Sequence, residues 1–170
     1  VVASRGLGDV YKRQSEISRE LHTADFLIAS LGNSLPAAAL PAVIFVLAAF
    51  TAFSTGSSWG AMGILLPLVL PLCWAIMGME GMTAGEDYFV LYSSVAGVLA
   101  GAVWGDHCSP ISDTTVMSSL SAGCDHIEHV RTQLPYALLA GAAALGAGTL
   151  PTSFGLPWWL GMLAAAAVTV

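Results

Sequence analysis

Charge is what this chain has least of. Only 9% of its 170 residues are charged and five are Lys or Arg, against about 25% charged in an ordinary soluble domain. That shortage excludes a soluble globular domain, and 56% hydrophobic residues with a mean hydropathy of +0.76 exclude disorder. With a formal net charge of −6 there is no basic run to neutralise a line of phosphates, which argues against nucleic acid as a partner. Cysteine is scarce too: Cys73, Cys108 and Cys124 are odd in number and irregular in spacing, which suits neither a disulfide framework nor a standard zinc pattern.

Two stretches lack acidic, basic and histidine side chains altogether. From Phe26 to Met79, and again from Thr132 to Val170, there is no Asp, Glu, Lys, Arg or His. Both exceed the ~20 apolar residues that cross a bilayer core, and their Gly, Pro, Ser and Thr are tolerated in membrane helices. The composition therefore predicts an all-α polytopic, multi-pass membrane protein, with the lipid bilayer as its first partner.

The first residues stand apart. Segment 1–14 carries Arg5, Lys12 and Arg13 and has no signal-peptide core. Its end, Asp9 to Gln14, resembles the translation of a transposon-end adapter from sequencing libraries, so it is expected to be non-native and the chain to be a fragment. Residues 15–34 read as an amphipathic lead-in, with Leu21, Phe26, Leu27 and Leu31 on one helical face. Residues 35–170 read as a transmembrane domain fragment. It comprises a hairpin over 35–78, a broken helix over 88–122, and spans over 134–150 and 155–170. Arg131 is the only Lys or Arg after Arg19, which places the loop around it on the cytoplasmic side and the acidic loop with Glu80, Glu86 and Asp87 outside.

Each interruption of the apolar runs is a polar knot. The first is Ser54-Thr55-Gly56-Ser57-Ser58-Trp59-Gly60; the second is Gly105-Asp106-His107-Cys108-Ser109-Pro110-Ile111-Ser112-Asp113-Thr114-Thr115. In hydrocarbon every backbone N–H and C=O needs a partner, so such breaks survive only inside protein or along a cavity. Paired discontinuous helices are the arrangement with which secondary transporters hold cations. Ser, Thr and Asp oxygens with freed carbonyls are hard ligands, suited to Na+. A carboxylate at that depth is neutralised by a cation or by a proton, and competition between the two is the physical basis of cation/proton exchange.

The second knot, within 101–138, resembles the NhaC-type sodium/proton antiporter family. The first knot agrees, with Phe53 to Pro67 resembling that family's other signature, where Thr-Gly-Thr-Ser-Trp-Gly is more usual. The resemblance implies the ion-transporter fold, in which a re-entrant hairpin tip (54–60) meets an unwound helix (105–114). It implies a C-terminal half whose N-terminal half is missing, and exchange of Na+ for H+ by alternating access. The candidate binding residues are Thr55, Gly56, Ser57, Ser58, Asp106, His107, Ser109, Ser112, Asp113, Thr114 and Thr115. Na+ is expected at Asp113, Asp106 and Ser58, with Asp113 favoured for its flanking hydroxyls. No cofactor is expected beyond the transported Na+ and H+. Further expected partners are a second copy of the chain and the absent half of the same protein.

Alternatives stand beside these readings. Asp106 and Asp113 also read as a structural pair, with Asp113 capping a helix, and His107 as a hydrogen-bonded residue at the mouth of the break. The hydroxyls of Thr55, Ser57 and Ser58 also suit bonds to backbone carbonyls. Gly56-Ser57-Ser58-Trp59-Gly60 fits the G-x-S-x-G elbow of a hydrolase, with Asp106 or Asp113 and His126 as partners. His107, Cys108, Cys124, His126 and His129 have zinc-ligand chemistry. On the transporter architecture itself, a Na+- or H+-coupled exchanger of an organic anion or amino acid is the alternative. The overall reading remains a transporter, not an enzyme.

Overall fold

The computed structural model describes residues 12–13, 15–32, 34–82 and 85–169. Apart from 12–13, the segment expected to be non-native, 1–14, lies outside them. Every regular element among the described residues is helical. Helix α1 (Thr23–Leu31) leads in. It is followed by α2 (Leu40–Thr55), α3 (Ser58–Met79), α4 (Phe89–Cys108), α5 (Asp113–Ala122), α6 (His126–Ala143, prolonged through Ala144–Thr149 and Leu150–Ser153) and α7 (Trp158–Thr169). Four helical segments are long and apolar enough to cross a membrane by length and composition: Ala37–Thr55, Ser58–Met79, Phe89–Cys108 and His126–Ser153. The chain is a polytopic membrane protein.

Helices α2 and α4 form the centre. Gly97, Gly101 and Gly105 recur every fourth residue of α4 and face Pro41, Phe45 and Ala49, which recur every fourth residue of α2. The numbers rise together, so the two helices run parallel. A Cβ at Gly97 would lie 2.9 Å from the Pro41 carbonyl oxygen, and Cβ atoms at Gly101 and Gly105 would overlap the carbonyls of Phe45 and Ala49. The backbones touch because nothing stands between them, which is how helices associate where lipid removes the hydrophobic drive. Helix α3 returns antiparallel to both. At one end the three helices pack through large side chains, among them Leu40, Ile44, Leu72, Ile76, Met77, Val90 and Val98. At the other the buried residues are all small, Ala48, Ala52, Ala61 and Ala102, with Met62 and Leu65 packed against them, which brings the polar knots close.

The hairpin turn between α2 and α3 is two residues long. Gly56 takes φ 65°, a left-handed conformation that glycine adopts without penalty, and returns its N–H to the Ala52 carbonyl. Ser57 then caps α3, accepting the Gly60 N–H at 3.2 Å. At the far end of the hairpin Glu80 Oε1 accepts the Ala37 N–H at 2.8 Å, tying the end of α3 to the start of the α2 segment. Each arm has full spanning length, 19 and 22 residues.

Elsewhere the structure differs from expectation in three places. The lead-in is broken at 21–22, where His22 sits at φ 50°; Leu27 and Ile28 pack on the core while Leu21 and Phe26 are exposed, so the expected single face does not form. The expected aqueous loop before residue 134 is helical from His126, because Asp125 caps it by accepting the Glu128 N–H at 3.0 Å. That helix then continues to Ser153 through a π segment, Ala144–Thr149. Pro151 cannot donate to the preceding turn and its ring crowds it, and widening absorbs both effects. Helix α7 has 12 residues, short of a full span.

Candidate ion-binding site

The unwound stretch between α4 and α5 is short. Helix persists through Cys108 and resumes at Asp113, so only residues 109–112 are non-helical, inside the expected 105–114. Helix α6 runs antiparallel along the end of α4, its Ala137 beside Trp104 and Gln133 beside His107, and its His129 meets Ser119 of α5. The break is thus flanked on one side by α6 and on the other by the hairpin turn.

The two knots touch. Ser109, fully buried, donates its hydroxyl to the Phe53 carbonyl at 2.7 Å, one of the last four carbonyls of α2 that have no helical partner of their own. On the same surface a Cβ at Gly56 would lie 3.0 Å from the Ile111 carbonyl oxygen, so turn and break are in backbone contact.

The two carboxylates differ sharply. Asp106 lies in the last turn of α4, one turn beyond Ala102 of the alanine cluster. It is 7% exposed, and its Oδ1 is buried with no hydrogen-bond partner among the described residues. A buried carboxylate oxygen without a partner costs several kcal/mol in order of magnitude unless a proton or cation joins it. Asp113 is the first residue of α5 and exposed, placed where a negative charge complements the helix dipole.

Most hydroxyls of the candidate set are already engaged. Thr55 donates to the Thr51 carbonyl at 2.8 Å, Ser112 and Thr114 share a hydrogen bond of 2.7 Å, and Thr115 donates to the His107 carbonyl at 3.2 Å. Ser57 is the α3 cap, and Ser58 beside it is half-buried at the start of α3. Trp59 is exposed. The His107 carbonyl takes a second donor, Gln133 Nε2 at 2.9 Å. Its ring lines a small polar cavity of about 100 Å³ together with Thr114, Thr115, Ser118, His129 and Gln133.

Helices on both sides of Gly56 to Gly60 remove the strand that a hydrolase elbow requires. Among the described residues, no three His, Cys, Asp or Glu side chains gather in one place. Residues that sequence reasoning did not place in the site are Ser119, His126, His129 and Gln133 on the α5 and α6 side. The spacing of His126, His129 and Gln133 along one face of a helix was the available signal.

Comparison with known proteins agrees with this architecture. Residues 15–158 match the Na+/H+ antiporter family. An uncharacterized protein of Haemophilus influenzae is 43% identical over 133 residues, 78% of this chain and 24% of its own length. A malate-2H(+)/Na(+)-lactate antiporter of Bacillus subtilis is 30% identical over 115 residues, 67% of this chain and 19% of its own. An uncharacterized Na(+)/H(+) antiporter of Haemophilus influenzae is 35% identical over 98 residues, 55% of this chain and 19% of its own. The chain therefore spans about a quarter or less of the length of these curated relatives. No solved structure matches it.

Proposed function

Because the chain belongs to the Na+/H+ antiporter family, we propose that the protein containing it exchanges Na+ for H+ across the cell membrane by alternating access, with Asp106 as the shared binding group. The observation that carries this reading is the buried Asp106 carboxylate, with an unpartnered oxygen, in the last turn of α4 before a break that touches a hairpin turn. Na+ and H+ compete for that carboxylate, so one leaves as the other binds. Oxygens at the start of α3, around Ser57 and Ser58, and carbonyls freed near the break complete the shell, as at other discontinuous helices. Asp113, exposed at the α5 start, contributes by charge at a distance. The two parts move relative to the rest of the transporter, in which the hairpin acts as a re-entrant element.

Everted vesicles carrying the full-length protein and a respiration-driven pH gradient test this. Added Na+ is expected to collapse the gradient; Asp106→Asn abolishes the response, whereas Asp113→Asn leaves it in place. Persistence of exchange in Asp106→Asn would transfer the role elsewhere. A second reading, exchange of an organic anion coupled to Na+ or H+, is favoured by the name of the Bacillus subtilis relative. It is distinguished by a gradient that responds to lactate or malate and not to Na+ alone.

A further inference from the structure

Inside a membrane the non-helical residues 109–112 need a partner for each backbone N–H. Pro110 has none to place, and the other three all run through Ser109. Its own N–H donates to the Asp106 carbonyl at 3.1 Å, and its carbonyl accepts the Ser112 N–H at 3.4 Å. Its hydroxyl accepts the Ile111 N–H at 3.3 Å and donates to the Phe53 carbonyl at 2.7 Å, 56 residues earlier in the chain. The hydroxyls of Thr55, Ser57, Ser112, Thr114 and Thr115 bond on their own side of the contact. Ser109, fully buried, reaches across it.

That reach bears on Asp106 because of where α3 begins. Ala61 of α3 and Ala102 of α4 belong to one buried cluster, and the two helices run antiparallel. One helical turn beyond each, Ser57–Ser58 and Asp106 come to the same level. Two links fix the gap between them: the two-residue turn that carries α2 into α3, and the Ser109 hydroxyl that fastens the end of α2 to the break. The hydroxyl spends its hydrogen and a lone pair on this backbone work.

We propose that Ser109 is a positioning residue: its hydroxyl pins the hairpin turn to the break and so sets the spacing between Asp106 and the first turn of α3 at which Na+ is held. The inference rests on Asp106 being the shared binding group. Without the hydroxyl, the Phe53 carbonyl and the Ile111 N–H lose their partner and the break shifts against the turn. Binding of Na+ must then restore the spacing, so affinity falls while the bound form exchanges at its former rate.

The test compares the full-length wild type with Ser109→Ala and Ser109→Thr. In everted vesicles, Ser109→Ala is expected to raise the Na+ concentration for half-maximal exchange about three- to tenfold, the factor a hydrogen bond of ordinary strength gives. The maximal rate per folded transporter should stay within about twofold. Ser109→Thr keeps the hydroxyl and should return most of the affinity. A residue serving stability alone would reduce the amount of folded protein and leave the half-maximal concentration unchanged, and that result overturns the proposal. Amide hydrogen exchange in detergent without Na+ separates a pin from an ion ligand. Ser109→Ala should speed exchange about three- to tenfold both in the break and in the hairpin turn, 54–60; acceleration confined to the break overturns the pin. If Ser109→Thr does not fold, the two readouts of Ser109→Ala decide. Absence of Na+-driven exchange in the wild type would overturn the reading of Asp106, and hydrogen exchange in the two segments would still decide the pin.

Discussion

In the last turn of α4, Gly105 and Asp106 are neighbours with opposite duties. Gly105 lets α4 lie directly on the Ala49 carbonyl of α2, and a rotation of about 100° along the helix turns Asp106 onto the face of Ala102. Close packing at one residue thus fixes the depth of the carboxylate at the next. Alanine at Gly105 would drive its Cβ into the α2 backbone, which cannot move aside as a flexible side chain could. Gly105→Ala is expected to cost about 3 kcal/mol, the upper range for overpacking, and Gly97→Ala about half of that. Thermal unfolding of the full-length protein in detergent ranks them, and equal stability of the two variants would refute the stripe. At this scale the two knots were legible as polar breaks, whereas the glycines recurring every fourth residue of α4 gained meaning only from the α2 carbonyls they face. The difference in burial between Asp106 and Asp113 was not legible. It turns on helix continuing through Cys108 and restarting at Asp113, which buries one carboxylate and exposes the other. The flanking hydroxyls that favoured Asp113 on sequence are spent on one another and on backbone carbonyls.

Among the elements, the hairpin of α2 and α3 is clamped at both ends. Gly56 and Ser57 make its turn, and Glu80 closes its mouth on the Ala37 N–H, which belongs to a fully buried residue. Glu80→Ala leaves that donor unpaired and is expected to cost about 1–2 kcal/mol. Glu80→Gln keeps an acceptor oxygen, and about half the loss is expected to be recovered. Chemical denaturation of the two variants separates them, and identical losses would show that the carboxylate acts by something other than accepting this bond. The acidic loop that ends α3 had read only as an aqueous connection, because a side chain that caps a helix 43 residues earlier in the chain has no local signature. The start of α6 was different. Asp125 and Glu128 carry the spacing of an N-terminal cap, and the charges of that segment outweighed it in the reading as a loop.

Taken as a whole, the molecule puts its two charged margins at opposite ends. Helices α2 and α4 run parallel from the Glu80 end toward the knots, and α6 returns antiparallel, with Leu150–Ser153 packed against the segment Ala37–Ala39 where α2 begins. The 28 residues of α6 measure about 42 Å, which exceeds the ~30 Å hydrocarbon thickness and leaves its charged first turns outside the core. Gln133 meets the His107 carbonyl just before the break, and His126, the first residue of α6, meets the Pro110 carbonyl within it. The loop after α3 and the link between α5 and α6 must then face different compartments. Cys124 is exposed in that link, Cys73 and Cys108 are buried, and a Cβ at Gly85 would meet open space. In sealed vesicles of one orientation, an impermeant maleimide added outside should label either Cys124 or a Gly85→Cys variant made in a Cys124→Ala background, and not both. Reversing the orientation should exchange the two results. Labelling of both from one side would mean that α4 does not cross the membrane and that turn and break lie at its surface, where a buried Asp106 would have no transmembrane exchange to perform.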